Sequence, residues 1–207
     1  MNAPPLCALA TVERPRPRVV PVISVVDYDP AWPQRFQRLR REYAEAMAAA
    51  NVPVVSIEHV GSTSVPGLAA KPIIDCDIVV ADEHVTAASE VLTGLGFRPL
   101  GELGIPLRWA FKEPARLAGT NSYVIVEGAL SLRNHLAVRD LLRADAAMRE
   151  QYAAVKRRVG SIAMDIDEYG RGKNAMVQRI LAAAGLTDRE LASIDANQVP
   201  SHDEVPR

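Results

Sequence analysis

Cysteine is scarce in this sequence, and its scarcity limits the classes of protein that fit. The 207 residues include two cysteines, Cys7 and Cys76, so a disulfide framework is excluded, and no cysteine–histidine group has the spacing of a zinc site. The first residues lack a continuous apolar segment and are interrupted by prolines, which argues against a secretory signal. We therefore expect a protein of the reducing cytoplasm.

Long apolar runs and an excess of one charge are also missing. No uninterrupted apolar run is long enough to span a bilayer, so we expect no membrane partner. The formal net charge is −1, which argues against a dedicated nucleic-acid-binding protein. A hydrophobic content of 48% and a length of 207 residues are ordinary for a globular protein with one substantial core.

The most informative stretch is an apolar segment that contains two acidic residues. Residues 73–80 alternate as a strand does, which puts Asp75 and Asp77 on one face and Cys76 on the other. Two carboxylates side by side in an apolar strand repel each other and lose hydration, which is costly unless a cation or a proton lies between them. Magnesium prefers one or two carboxylates together with substrate phosphates. The pair therefore predicts a Mg²⁺ site; the alternative is a buried acid pair that caps a loop.

A Gly-Ser turn precedes this strand by a dozen residues. Gly61 allows the backbone to approach a ligand closely, and Ser62 offers a hydroxyl and an amide to a phosphate oxygen. Gly-Ser followed at this distance by Asp-x-Asp resembles the signature of the nucleotidyltransferase superfamily, which has a polymerase-β-like fold. The longer segment from Gly61 to Asp75 resembles the GrpB family, a branch of that superfamily also found fused to dephospho-CoA kinase. The resemblance extends over about residues 26–184 and implies a metal-bound nucleoside triphosphate as ligand.

Hydrophobic periodicity predicts an α/β (α+β) fold, in which helices cover a small mixed β-sheet of the nucleotidyltransferase type and a C-terminal helical layer follows. The pair Asp29-Pro30 is a helix-start signal, and an aromatic stripe at helical spacing comes after it. Strands are expected at residues 54–60, 73–80, 97–100, 107–112 and 123–127, and helices at residues 30–47, 82–95, 132–143, 145–159 and 167–184.

Composition divides the chain into three parts. Residues 1–24 are rich in proline and arginine and are expected to form a flexible arm. Residues 25–186 are expected to form the GrpB-like nucleotidyltransferase domain. Residues 187–207 are polar with scattered proline and are expected to be a disordered tail.

Four basic residues are candidates for binding the triphosphate. Lys71 lies between the Gly-Ser turn and the acidic strand, so it is either a phosphate ligand or a loop anchor. Arg139 belongs to an Arg-Asp pair, and Lys156 and Lys173 each follow a tyrosine by one helical turn, as in the family's Tyr-x-x-x-Lys segments. The resemblance implies that these three stabilise the charge of the phosphates. The alternative is that they are solvated helix charges.

One segment departs from the family. GrpB proteins tend to carry a histidine-bearing strand of the form Thr-His-His-Leu-His-Val, whereas residues 120–127 contain no histidine. Polymerase-β-like enzymes often place a third carboxylate on the strand that faces the acid pair, where it acts as a general base. Glu127 is the only acid on the matching strand, so the resemblance implies Glu127 as the catalytic base beside Asp75 and Asp77.

Two functions of different class are consistent with these residues. The first is Mg²⁺-dependent nucleotidyl transfer, or adenylate formation, from a nucleoside triphosphate, with ATP expected, to an unknown small-molecule acceptor. The second is a nucleotide-binding or scaffold protein that has kept the fold and lost turnover. The intact acid pair favours the first and the missing histidines favour the second. The fold cannot decide between them, because function depends on the site.

Overall fold

The computed structural model describes residues 23–196 of the chain. Within these residues the chain forms five strands and six α-helices, joined by loops and three short 3-10 turns. The strands are β1 (Ser56–Val60), β2 (Ile74–Val80), β3 (Arg98–Gly101), β4 (Arg108–Lys112) and β5 (Thr120–Val126), and the helices are α1 (Trp32–Ala49), α2 (Val85–Gly94), α3 (Leu130–Ala144), α4 (Ala146–Gly160), α5 (Ile166–Ala183) and α6 (Asp188–Ala196).

The strands form one mixed sheet in the order β1-β2-β5-β4-β3. The β2–β5 pair is parallel, and the other three pairs are antiparallel. The acidic strand β2 therefore lies inside the sheet, with β1 on one side and β5 on the other. This arrangement confirms the predicted fold class, a small mixed sheet with helices around it and a helical C-terminal part.

The two faces of the sheet have different roles. Ile74, Cys76 and Ile78 of β2 pack into the largest core cluster, which α1 and α2 cover. On the opposite face, Val79 and Ile125 pack against the start of α3. Because strand residues alternate, Asp75 and Asp77 lie on this second face, and Cys76 lies on the first, as the sequence predicts.

Helix α1 confirms the predicted aromatic stripe. Its buried residues recur at intervals of three or four, so one face packs against the sheet while the charged residues face solvent. The carboxylate of Asp29 accepts a hydrogen bond from the amide of Ala31 at 2.8 Å, which supports the chain just before the first turn. The buried stripe consists of Trp32, Phe36, Leu39, Tyr43 and Met47.

A separate apolar cluster holds the C-terminal helices to the loop between β1 and β2. Leu68 of that loop packs with Leu142, Met148, Tyr152 and Ile180, which come from α3, α4 and α5. The loop therefore has a fixed position, and α4 and α5 lie beside the start of β2.

The predicted disordered tail is wrong for its first part, because residues 188–196 form α6. Thr187 and Glu190 make a capping box: the Glu190 carboxylate accepts from the Thr187 amide at 2.9 Å, and the Glu190 amide donates to the Thr187 hydroxyl at 3.4 Å. Ile194 is 4% exposed, and Glu190 forms an ion pair with Arg133 of α3. Residues 197–207, and residues 1–22 of the predicted arm, lie outside the described part of the chain.

No helix in the described part of the chain is long and apolar enough to cross a membrane.

Candidate functional site

The two acids of β2 lie at the centre of a polar face. In the sheet register, Val60 and Asn121 flank Asp75, whereas Glu58 and Tyr123 flank Asp77. These cross-strand neighbours point to the same face as the acids they flank. The site is therefore built from three adjacent strands, and β2 supplies its two carboxylates.

Each carboxylate has one specific partner. The Asn121 amide donates to Asp75 Oδ1 at 2.8 Å, and His135 Nδ1 of α3 is 2.7 Å from Asp77 Oδ2. Asp77 is 0% exposed, and its Oδ1 atom has no hydrogen-bond partner among the described residues. A buried acceptor without a partner is costly, so the described residues leave the hydrogen-bonding capacity of this atom unused.

The pKa values reflect this burial. Burial raises the pKa of Asp75, and the nearby Asp77 adds to the increase, whereas the hydrogen bond from Asn121 opposes it. Burial opposes the protonation of His135, but the carboxylate of Asp77 outweighs that effect and raises the pKa of His135. Asp77 therefore favours the protonated, cationic form of His135, which is a suitable partner for a buried carboxylate.

The Gly-Ser turn packs directly against the first acid. Gly61 has φ 67° and ψ −172°, a backbone region that only glycine adopts without strain. A Cβ atom at this position would lie 2.1 Å from Asp75 Oδ2. The Ser64 hydroxyl donates to the Gly61 carbonyl at 2.6 Å, and the Thr63 hydroxyl donates to the Ile73 carbonyl at 2.9 Å. Glycine is thus required here because the turn and the acidic strand approach each other closely.

A cavity of about 250 Å³ opens beside this turn and contains three lysines. Lys71, Lys156 and Lys173 line it, so three of the four lysines in the chain converge on one small space. We call this space the lysine cavity; its other lining residues include Gly61, Ser62, Asp75, Asn121, Tyr152 and Tyr169.

Two tyrosines hold the lysine side chains in the cavity. Lys156 Nζ is 5.1 Å from the ring centre of Tyr152, one turn earlier on α4, and it donates to the Ala69 carbonyl. Lys173 Nζ is 4.3 Å from the ring centre of Tyr169, one turn earlier on α5. Both predicted Tyr-x-x-x-Lys segments therefore reach the same cavity, on two adjacent helices.

The lysines carry less positive charge than ordinary surface lysines. Burial lowers the pKa of Lys156 to about 6, and repulsion from Lys173 and Lys71 adds to the decrease. Burial and repulsion from Lys71 lower the pKa of Lys173 to about 8, and burial also lowers the pKa of Lys71. Asp75 is the carboxylate that opposes all three shifts. Several strongly shifted pKa values in one cavity mark it as a candidate functional site.

Two predicted site residues do not reach the lysine cavity. The Arg139 guanidinium donates to Glu58 and to Asp140, each at 2.7 Å, and Arg139 lines a different cleft. Glu127 follows β5, where its amide donates to the Val80 carbonyl at 2.9 Å and its side chain is exposed. Glu127 lies four residues beyond the position that pairs with Asp77, which is roughly 13 Å along the strand. The expectation that Glu127 is the base beside the acid pair is therefore corrected.

Comparison with known proteins shows the family to which the chain belongs. A family model described as GrpB protein matches residues 22–183. The chain belongs to the GrpB family. A UPF0157 protein of Streptomyces coelicolor is 36% identical over 174 residues, which cover 81% of this GrpB chain and 87% of that protein. A dephospho-CoA kinase of Mycolicibacterium paratuberculosis is 31% identical, over 71% of this chain and 42% of that kinase.

Solved structures with the same fold include a GrpB protein, the GLD-2/RNP-8 complex and the Cid1 poly(U) polymerase. Conserved protein GrpB from Enterococcus faecalis superposes with a TM-score of 0.68 at 28% identity, over 83% of this chain and 99% of that chain. The GLD-2/RNP-8 complex superposes with a TM-score of 0.52 at 13% identity, over 87% of this chain and 70% of that chain. The Cid1 poly(U) polymerase with Mg 3′-dATP bound superposes with a TM-score of 0.50 at 14% identity, over 71% of this chain and 49% of that chain. At these low identities the last two show that this GrpB protein has the nucleotidyltransferase fold.

The donor set of this GrpB protein fits a magnesium ion that shares its ligands with a substrate. Within residues 23–196, no group of three or more His, Cys, Asp or Glu side chains is arranged to hold a metal. Asp75 and Asp77 supply hard oxygen atoms on one strand face, and Asp77 Oδ1 has no protein partner among those residues. Magnesium is held in this way in many sites, by one or two carboxylates plus phosphate oxygens and water.

Sequence reasoning missed His135 and Asn121 as parts of the GrpB site. His135 precedes Arg139 by one helical turn, so the two share a face of α3, and this spacing could have indicated that both point towards the sheet. Asn121 lies in the segment where the family tends to carry histidines, and its side-chain amide donates a hydrogen bond to Asp75. No local signal in the sequence indicates that contact, because it depends on the register between β2 and β5.

Proposed function

We propose that this GrpB protein is a Mg²⁺-dependent nucleotidyltransferase-type enzyme that transfers a nucleotidyl group from a nucleoside triphosphate to a small-molecule acceptor, or forms an adenylate on it. The lysine cavity carries this proposal, because three lysines converge on a small space that adjoins both the Gly-Ser turn and Asp75. Phosphate groups need this arrangement of cations and backbone donors. ATP is the nucleotide that we propose to test first.

Each part of the site has a role in this proposal. Lys71, Lys156 and Lys173 bind the oxygens of the triphosphate, and the Gly-Ser turn holds the chain close to them. The lysine amines are already in position, and once the bound phosphates favour their protonated form their positive charge stabilises the charge that develops on the leaving pyrophosphate.

Asp75 and Asp77 are the residues that would hold Mg²⁺. When bound, Mg²⁺ neutralises part of the phosphate charge and orients the phosphates. Asn121 fixes the orientation of the Asp75 carboxylate, and His135 fixes that of Asp77, because each donates to one carboxylate oxygen and leaves the other free.

A second candidate, nucleotide binding without turnover, is favoured by one observation. The β5 residues that face the acid pair are Asn121 and Tyr123, neither of which is a carboxylate, and Glu127 is remote. An attacking hydroxyl would therefore have no third carboxylate on β5 to accept its proton. An acceptor that is already ionised, such as a carboxylate, does not need that base.

The first experiment is a thermal-shift and calorimetric titration with ATP, GTP, CTP and UTP, each with and without Mg²⁺. We expect a nucleotide to raise the melting temperature only when Mg²⁺ is present. Lys173→Gln should weaken binding by about ten- to a hundredfold, since a hydrogen bond to a charged group contributes roughly 1.5–3 kcal/mol. Lys112→Gln is the matched control, because Lys112 is exposed and is the one lysine outside the cavity.

The results separate the two candidates. Release of pyrophosphate from the bound nucleotide in the presence of a bacterial small-molecule extract supports transfer. Tight Mg²⁺-dependent binding without pyrophosphate release supports the binding protein. The absence of a response to any of the four nucleotides contradicts both.

We also propose a cytoplasmic location. The support is chemical. Cys76 is a free, buried thiol, and a chain with two cysteines has no disulfide framework that would require an oxidising compartment.

A further inference from the structure

A second cleft in the described part of the chain is larger than the lysine cavity, is separate from it and is rich in arginine. It measures about 820 Å³ and lies between α1, β1, the residues just after the Gly-Ser turn, and the α3–α4 corner. Arg40, Arg139, Arg143 and Arg149 line it, and we call it the arginine cleft. No lysine lines it, and none of these arginines lines the lysine cavity.

The arginine cleft has more positive than negative charge, because four arginines share two carboxylates. Arg139 is paired with Glu58 and Asp140, and Asp140 is 3.9 Å from Arg143. Arg40 and Arg149 form no salt bridge with any residue between 23 and 196. The cleft therefore has two arginines without a counter-ion and a third whose partner is shared.

Backbone carbonyls hold two of these arginines in place. Arg143 donates twice to the Ser64 carbonyl, at 3.1 and 2.8 Å, and Arg149 donates to the Leu142 carbonyl at 3.0 Å. A carbonyl fixes the position of a guanidinium but does not cancel its charge. Each guanidinium has five donors, so both retain donors for a bidentate contact with an anion.

The rest of the cleft surface is neutral and partly apolar. The rings of Phe36 and His59 stack with their centres 4.5 Å apart, and Ile57 and Pro66 extend this surface. Burial lowers the pKa of His59 to about 4, and the charges of Arg143 and Arg139 add to the decrease. His59 is therefore neutral at neutral pH, and the cleft combines an apolar wall with cationic donors that are already in position.

We propose that the arginine cleft binds a small molecule that carries a phosphate or carboxylate group on an apolar body. Its volume is in the range of small-molecule sites, and guanidinium groups recognise both anions through the same planar pair of donors. Ser64 and Pro66 line this cleft, whereas Gly61 and Ser62 line the lysine cavity, so one turn separates the two sites.

This molecule is the acceptor of the proposed transfer, an assignment that rests on the proposed function; the binding of the anion does not. Glu58 of the cleft lies directly across the sheet from Asp77, so the cleft adjoins the acid pair on its β1 side.

The test is calorimetric titration of the full chain, without nucleotide, with three probes of one shape: phenyl phosphate, benzoate and benzyl alcohol. The two anions distinguish a phosphate source from a carboxylate source, and the alcohol tests whether charge is needed. Arg149→Gln should weaken binding of the preferred anion about tenfold. Arg40→Gln should weaken it about threefold, and among residues 23–196 Arg40 has no side-chain hydrogen bond for the fold to lose.

Matched controls separate the arginine cleft from the fold and from the lysine cavity. Arg158→Gln on α4 and Arg38→Gln on α1 change exposed arginines outside the cleft and should leave the affinity within twofold. Lys173→Gln should also leave it within twofold. The proposal is overturned if neither anion binds at 10 mM, if benzyl alcohol binds as well as the anions, or if Lys173→Gln removes binding that both cleft variants retain. Because no nucleotide is present, the proposed function can fail while this site is confirmed.

Discussion

Binding of a triphosphate to the lysine cavity should draw protons from solution. In the free protein the pKa of Lys156 is lowered to about 6 and that of Lys173 to about 8. A phosphate anion that contacts these amines favours their charged form and returns both pKa values towards the ordinary lysine value. The lysines that are neutral before binding must then become protonated.

The size of the effect depends on pH. At pH 7.5 a lysine with a pKa of 6 is roughly 3% protonated and one with a pKa of 8 is roughly 75% protonated, so full charging of both takes up about one proton. At pH 6 the uptake falls to about half a proton, and at pH 9 it rises to about two. Because binding takes up protons, affinity decreases as pH rises, by about tenfold per pH unit where the uptake is one. Lys71, whose pKa is also lowered, adds to the effect in the same direction.

The assay is isothermal titration of the protein with Mg²⁺ and a non-hydrolysable ATP analogue at pH 7.5, in buffers of different ionisation enthalpy. The slope of observed enthalpy against ionisation enthalpy gives the number of protons taken up. We expect about one for the parent and for Lys112→Gln, and about a quarter for Lys156→Gln. Proton release, or an uptake that Lys156→Gln leaves unchanged, would refute the assignment of the lysines to the phosphates.

Four further changes test the rest of the site and the fold. Gly61→Ala should lower the free energy of unfolding by more than roughly 1–3 kcal/mol, because the new Cβ would clash with Asp75 Oδ2 in addition to straining the backbone, and a loss below the error of chemical denaturation contradicts this. Asp77→Asn should lower it by about 3 kcal/mol, since His135 loses a buried partner; unchanged stability would show that the pair is not formed. Arg139→Gln should change Mg²⁺-ATP affinity less than twofold, and a tenfold loss would return Arg139 to the phosphate site. Ile194→Ala should lower the free energy of unfolding, measured by denaturant titration, by about 2 kcal/mol. An unchanged value would show that α6 does not pack against the rest of the domain.

The parts of the fold that sequence predicts well are those that depend on local spacing. The stripe from Trp32 to Met47 follows the helical period, and the alternation of Asp75, Cys76 and Asp77 follows the strand period. The two Tyr-x-x-x-Lys segments also depend on one helical turn, which fixes each lysine beside its own tyrosine.

The parts that sequence could not predict depend on contacts between distant elements. In the sequence, Arg139 and Lys156 are similar charged residues on predicted helices. In the structure, the face of α3 that carries Arg139 packs beside Glu58, so Arg139 lies in a different cleft. Glu127 was assigned from a strand predicted three residues too late, because β5 begins at Thr120. Helix α6 has few apolar residues, but the Thr187–Glu190 capping box was visible in the sequence and could have indicated it.

The distribution of lysine in this protein has a practical consequence for amine chemistry. Amines react with acylating reagents in their neutral form, and a lysine of ordinary pKa is almost wholly protonated at pH 7. Lys173, partly accessible and with its pKa lowered to about 8, is therefore the lysine that such reagents should modify first. Amine coupling to a sensor surface would block the lysine cavity, so binding measurements need attachment through another group. Conversely, protection of Lys173 from acylation by Mg²⁺-ATP would report occupancy of the cavity without any knowledge of the acceptor.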